Sequence, residues 1–341
     1  MSSAPQEPIG GTPLRVAIVG TGNIANHAHI PAWRSRPDVK VVWAIDVRAD
    51  TAHATADRWD IPRWGTDVRA ALEDSDVDAV DFCTPPLERV AQVVPALEAG
   101  KHVLVEKPAA VTLAEAEAIT SAAARARRVL LVAENWPYAS ATRRVRALLA
   151  RGELGTLFLL HGSVESGQWL RPPPSASYAA HLGYTFLVGT HALNLARLLM
   201  GEVGQVAAYA TPAAIPTGAH LIHETDMVVS VRFRNDGIGA FHFSSRAHFT
   251  NPRRSTFRLL GQEGSLEFDV HAGYVDWTVR GTRTRIDDPR PSMGYAEEIE
   301  HFVRCVRGEE QPGTSMVDYR ETLRVILAVY QSAMTGRAVS I

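Results

Sequence analysis

The sequence predicts an α/β protein: an N-terminal Rossmann domain with a doubly wound parallel sheet, then a second α/β domain with a large, mainly antiparallel sheet. Three observations lead there. Short apolar runs alternate with helix-patterned segments from Leu14 to Glu134, the order of parallel strands joined by right-handed crossovers. A glycine-rich turn, Gly20-Thr-Gly22-Asn-Ile-Ala25, stands between the first run and the first helix. From Gln205 to about Arg285 strand follows strand with turn residues between them, which calls for a separate sheet.

The elements follow in order. Residues 1–13 read as a flexible tail of small and polar residues. LRVAIVG then opens the first domain as an unbroken apolar run, the mark of a strand covered on both faces. VKVVWAID (39–46), VDAVDFCT (77–84), HVLVE (102–106) and VLLVAEN (129–135) repeat the pattern. Ala49–Trp59 and Glu88–Ala99 are helices between strands; Val90, Val93, Val94 and Leu97 give the second one apolar stripe. Thr112 and Glu115 form a capping box for a helix to about Arg127. These elements assign 14–134 to the first domain and 135–341 to a second domain. In the latter, a helix over Ala139–Arg151 leads to the strand TLFLLHGSVES, a proline-rich Arg171–Pro174, and an apolar helix near Gly189–Met200. The strands QVAAYAT, DMVVSVRFR, IGAFHFSS, STFRLLG, GSLEFDV and YVDWTVRG come next, with Asn235-Asp236-Gly237 as a hairpin turn. Helices near Tyr295–Arg307 and Val317–Met334 close the chain.

Composition narrows the function. At 341 residues two domains are expected, and 46 % hydrophobic with 21 % charged residues excludes a disordered or fibrous chain. Lys and Arg number 35 against 37 Asp and Glu, a formal charge of −2, which argues against a nucleic-acid partner. No stretch approaches the ~18 uninterrupted apolar residues of a spanning helix, so no membrane role is expected. Cys83 and Cys305 make neither a disulfide framework nor a zinc pattern. With no signal-like start in Met1–Pro13, a cytoplasmic protein is expected.

The glycine turn follows a strand and opens a helix, as a dinucleotide fingerprint requires. Gly20 permits the tight turn, Gly22 lets the backbone approach a pyrophosphate, and the N–H groups at Asn23 and Ile24 face it at the helix start. Asp46 ends the second strand, where a carboxylate meets the ribose hydroxyls and disfavours a 2′-phosphate. NAD is therefore preferred; Arg48, two residues on, keeps NADP possible. Glu106-Lys107-Pro108 leaves the strand HVLVE at the ligand-binding edge of the sheet, where a lysine can stabilise a developing alkoxide.

Beyond these motifs the sequence resembles the Gfo/Idh/MocA oxidoreductases, the glucose–fructose oxidoreductase and inositol dehydrogenase group. Gly20-x-Gly-x-x-Ala, Thr84-Pro85, the run Ala99-Gly-Lys-His-Val-Leu-Val-Glu-Lys-Pro108, and Gly189-Thr-His191 carry the likeness. It implies NAD(P)-dependent hydride transfer at a hydroxyl or keto carbon of a sugar, cyclitol or related polyol. It further implies Lys107 beside nicotinamide and substrate, His191 as acid/base, and cofactor contacts at Thr84, Pro85, Glu106, Asn135, Trp169 and Tyr295. Self-association as a homodimer or homotetramer through the C-terminal sheet also follows from the likeness, and no metal is expected.

The departures bear on mechanism. Where the family commonly has Asp-x-Gly-x-His, this chain reads Leu187-Val-Gly-Thr-His191. Thr-Pro-Asn-x-x-His becomes Thr84-Pro85-Pro86-Leu-Glu-Arg89, and Trp136-Pro137 replaces a position often held by arginine. A redox-neutral reaction, in which NAD recycles during elimination, hydrolysis or epimerisation, is the alternative; a non-catalytic NAD-binding protein is a third class. His27 and His29 are expected inside the first helix without carboxylate partners. His220 and His223 lack zinc spacing, and Cys83 reads as buried packing.

Overall fold

The apolar runs of the first domain become strands because each is covered on both faces. The computed structural model describes residues 12–167, 182–212, 224–247 and 253–341. The expected tail (all but its last two residues), Trp169, Arg171–Pro174, His220 and His223 lie outside them. The strands are β1 (Leu14–Val19), β2 (Val39–Ile45), β3 (Arg63–Gly65), β4 (Ala79–Phe82), β5 (His102–Glu106) and β6 (Leu130–Ala133). They pair in parallel in the order β3-β2-β1-β4-β5-β6. The order reverses between β1 and β4, the switch point beyond whose carboxyl ends such sheets bind ligands.

The helices between these strands are α1 (Ile30–Arg34), α2 (Ala49–Trp59), α3 (Val68–Glu73), α4 (Arg89–Glu98) and α5 (Leu113–Ala126). The capping box forms as read: Thr112 accepts from the Glu115 N–H, and Glu115 accepts from the Thr112 N–H, both at 3.2 Å. A π-helical turn, Ala25–His29, precedes α1. Pro31 follows it and cannot donate to the carbonyl of His27, so the ladder widens just ahead of the proline.

The remaining chain supplies α6 (Ser140–Ala150), β7 (Leu157–Ser166), a second π-helical turn at Thr185–Gly189, and α7 (Thr190–Met200). Then come β8 (Val203–Pro212), β9 (Glu224–Phe233), β10 (Ile238–Ser244), β11 (Arg253–Gly261), β12 (Gly264–Asp269), β13 (Tyr274–Val279) and β14 (Thr282–Asp287). α8 (Tyr295–Val306), α9 (Met316–Thr335) and β15 (Val339–Ser340) end the chain. The described sheet runs β14-β13-β12-β11-β7-β10-β9-β8-β15. Every pair is antiparallel except β7 with β10. Along β7, Leu160, Gly162, Val164 and Ser166 are buried, while His161, Ser163 and Glu165 take the other face.

By its contacts the chain divides into Met1–Glu134 with Tyr295–Arg320, and Asn135–Gly294 with Glu321–Ile341. Tyr295–Arg320, within the span read above as the second domain, groups with the first unit. Ile299, Phe302, Val303 and Val306 of α8 share a core with Val16, Ile30 and Trp33 of the first unit. Phe302 meets Trp33 edge to face at 5.7 Å, and burying such a side chain contributes about 1.5–3 kcal/mol. No described helix is long and apolar enough to cross a membrane.

Candidate active site

The glycine turn is built to leave space. Gly20 has φ +86, and a Cβ there would lie 2.9 Å from Cys83 C and from Thr84 N. Both the backbone angle and the neighbouring loop exclude a side chain. At Gly22 a Cβ would meet nothing within 4 Å. That open ground lies ahead of Asn23 and Ile24, whose N–H groups begin the helix and have no intrahelical acceptor. Asn26 fastens the turn from behind, donating to Thr21 O at 2.7 Å and Gly22 O at 3.1 Å. The residues present fit a pyrophosphate: the helix-start N–H groups of Asn23 and Ile24 follow Gly22, where a Cβ would meet no atom of the described residues within 4 Å.

Asp46 leaves β2 beside this turn. Its Oδ2 accepts the Thr21 N–H at 3.0 Å and its Oδ1 the Arg48 N–H at 3.0 Å. The carboxylate is thus pre-positioned with lone pairs to spare, since each oxygen can accept twice. The Arg48 guanidinium is 65 % exposed and lies 3.8 Å from Asp46, so its charge leans on the same carboxylate. Thr84 and Pro85 follow β4. Arg89, 2 % exposed, donates to Phe82 O at 2.9 Å and Thr84 O at 2.6 Å. The residue that breaks the family's Thr-Pro-Asn-x-x-His pattern therefore clamps the strand exit.

Glu106 ends β5, 7 % exposed, and the half-buried Lys107 follows it through a cis bond to Pro108. His29 corrects an expectation: it has two carboxylate partners. Its Nδ1 meets Asp81 Oδ2 at 2.8 Å and its Nε2 meets Glu106 Oε1 at 3.1 Å. Trp33 Nε1 also donates to Asp81, at 2.7 Å. Burial would discharge His29, yet the Asp81 and Cys83 contacts raise its pKa well above that of a free imidazole. Burial pushes Glu106 up, but His29, Lys107 and Arg89 outweigh it and hold the carboxyl below its usual range. His29 is therefore a buried cation between two anions. Its ligand atoms group with Asp81 and Cys83 within 4.8 Å, but both ring nitrogens already serve carboxylates. Burial raises the Cys83 thiol to about 12, so it is no thiolate. His27 Nδ1 meets Asn23 O of its own turn at 3.0 Å.

Tyr295 of α8 lies against this triad, its ring 6.0 Å from that of His29. One turn on, Glu298 is fully buried, and among the described residues neither carboxyl oxygen has a hydrogen-bond partner. Burial, then the nearby Glu106, Glu134 and Asp81, push its pKa well up against the pull of His29. The acid is neutral.

In the second unit, His191 stands at the start of α7, 5 % exposed. Its ring stacks on Trp136 at 4.8 Å and 12°. His271 and Phe257 meet the same indole edge-on, at 5.7 Å and 6.0 Å. Burial, with Arg253 and His191 nearby, lowers His271 to about 3, so it is a neutral imidazole. Neither Trp136 nor His271 was marked as a site residue; the only sequence signal was Trp136 in place of an arginine. Asn135 is buried and donates to Met293 O at 2.7 Å, tying the start of the unit to the loop before α8.

Leu187 sits in the π-helical turn, 4 % exposed. Behind that turn, Glu224 accepts the Thr185 N–H at 2.5 Å and the Tyr330 hydroxyl at 2.8 Å. The Tyr330 oxygen also accepts the Phe186 N–H at 3.1 Å. A side chain on Gly183 would collide with Glu224. Burial raises Glu224 to about 7 against these hydrogen bonds.

Residues 14–134 match the oxidoreductase family's NAD-binding Rossmann domain, and residues 142–267 match the GFO/IDH/MocA C-terminal domain. D-glucoside 3-dehydrogenase of Escherichia coli is 32 % identical, covering 97 % of this chain and 98 % of its own. D-apiose dehydrogenase of Paraburkholderia graminis is 28 % identical, over 95 % and 89 %. A levoglucosan dehydrogenase solved with NADH superposes with a TM-score of 0.88 at 21 % identity, over 97 % and 99 % of the two chains.

Proposed function

The chain belongs to the GFO/IDH/MocA oxidoreductase family, and from that premise we propose that it moves hydride between NAD and a hydroxyl-bearing carbon of a sugar, cyclitol or related polyol. The observation that carries this reading is the open ground at Gly22, with Asp46 fixed beside it on the sheet edge that also ends in Glu106-Lys107. Relatives named for glucosides, apiose and levoglucosan support the substrate class.

Bound nicotinamide supplies the hydride acceptor or donor. Gly20, Gly22, Asn23 and Ile24 would hold the pyrophosphate, Asp46 the adenosine ribose, and Thr84, Pro85, Glu106 and Tyr295 the rest of the cofactor from this unit. Asn135, whose amide donates to Met293 O, is the remaining residue proposed for the cofactor. Lys107 would bind the reacting oxygen and stabilise its charge. His191 would take the hydroxyl proton during oxidation and return it during reduction; an imidazole does this near neutral pH. Trp136 supports that role by fixing the His191 ring through its whole face.

We place the protein in the cytoplasm, consistent with two free thiols. For the oligomer we favour a homodimer or homotetramer through the large sheet, whose outer side carries Tyr209 at 75 %, Val228 at 54 % and Ile238 at 51 % exposure.

The test is NADH formation with methyl glucosides, D-apiose, levoglucosan and inositols. Lys107→Ala should lose on the order of 10²–10³ in turnover, and His191→Ala about 10²–10⁴, with NAD affinity nearly unchanged. Near-native turnover by His191→Ala would place the proton elsewhere.

A further inference from the structure

One buried group of the first unit takes no direct part in the proposed chemistry. His29 links two places that the proposed reaction uses. It ends the π-helical turn that follows the glycine loop, and it holds Glu106, the residue before Lys107. Asp81 anchors its other nitrogen, and Trp33 in turn anchors Asp81. We propose that His29 is a positioning residue for Lys107: seated between Asp81 and Glu106, it keeps the Glu106 carboxylate in place as the counter-charge that holds Lys107 protonated at the sheet edge. This rests on the reading of Lys107 given above.

The surroundings favour this over a purely structural ion pair. His29 faces Asp81 and Cys83 from the end of β4, Glu106 from β5, and Tyr295 and Glu298 from α8. Of these, Cys83 and Glu298 are uncharged, the thiol raised to about 12 and the acid pushed well up by burial. Asp81 and Glu106 therefore share His29 as a common partner, and the buried Arg89 adds a second internal charge facing Glu106. Glu106 also faces Arg89 and Lys107. A carboxylate so enclosed would lose its charge without a partner, because burial disfavours the ionised form. Lys107 would then lose an adjacent anion, and an ammonium that has lost one releases its proton more readily.

The composition makes this measurable. Lys40, Lys101 and Lys107 are the only lysines in the chain. Reductive ¹³C-dimethylation therefore yields few side-chain signals, and Lys107→Arg assigns one of them. Lys101 serves as an internal control, since it is bonded to Asp74 O and Val77 O ahead of the strands' amino ends. Removing His29 alone strands two buried carboxylates and risks the fold, so the variant used is His29→Gln with Asp81→Asn, which keeps the net charge. Glu106→Gln is the second variant.

In Glu106→Gln the Lys107 midpoint should fall by about one pH unit, with Lys40 and Lys101 unmoved. In both variants kcat with the polyols named above should fall roughly ten- to a hundredfold at saturating NAD, and in His29→Gln with Asp81→Asn NAD affinity should stay within about twofold. On a Lys107→Ala background neither should lower kcat further, because both act through Lys107. An unmoved Lys107 midpoint, or an equal loss on both backgrounds, overturns the proposal. If the native protein turns over no polyol, the functional reading fails, while the lysine midpoint still decides whether Glu106 is the counter-charge.

Discussion

Replacing each of two glycines in the cofactor turn by alanine should separate stability from binding. At Gly20 the backbone has φ +86, and a Cβ would sit 2.9 Å from main-chain atoms of Cys83 and Thr84. The left-handed conformation costs a side chain about 1–2 kcal/mol, and forcing it against a packed loop about 1–3 kcal/mol more. Gly20→Ala should therefore destabilise the protein by about 2–5 kcal/mol. At Gly22 the backbone is outside the left-handed region and the Cβ meets nothing within 4 Å. There alanine should leave stability unchanged or raise it by up to ~1 kcal/mol, since it restricts the unfolded chain. It should instead occupy ground the pyrophosphate needs and weaken NAD at least tenfold, or about 1.4 kcal/mol. Urea denaturation and calorimetric NAD titration of both variants decide the matter. If Gly22→Ala binds NAD like the native protein, the space does not belong to the cofactor. If Gly20→Ala is fully stable, the close contacts at the turn have been misjudged.

Two further outcomes follow from the charges. Asp46→Ala should narrow the preference for NAD over NADP by roughly ten- to a hundredfold, as a charged hydrogen bond is worth about 1.5–3 kcal/mol; tighter NADP binding by the native protein would instead make Arg48 the phosphate partner. Glu224 carries its proton in the folded state up to about pH 7, against an ordinary value of 4.5. The stability it contributes is complete below pH 4.5 and is lost as pH rises to 7, by up to about 3 kcal/mol. Urea midpoints at pH 5 and pH 8 should show this slope in the native protein and a shallower one in Glu224→Gln; equal slopes would refute the assignment.

What could be read from the sequence was local or periodic. The glycine turn, Asp46, the Thr112–Glu115 box and the hairpin at Asn235–Gly237 each depend on residues close in sequence or on a fixed spacing. Three strands escaped: β3 has only three residues and β15 two, and every residue of β14 is exposed, so no alternation marked it. The partners of His29 lie 52 and 77 residues away, and spacing cannot reveal a pairing that the sheet order creates. The same holds for Trp136, whose indole joins His191 and His271 from distant segments. The helix pattern of α8 was plain, but nothing in it told which core its apolar face would join.

The central claim is that hydride passes between a polyol carbon and the cofactor. It is tested most directly with a substrate from the panel, deuterated at the carbon that reacts. Mass spectrometry of the cofactor after turnover should find one deuterium on each reduced nicotinamide released, together with an equal amount of ketone or lactone. Deuterium recovered in a converted sugar without net reduced cofactor would contradict the account and establish the redox-neutral reaction instead.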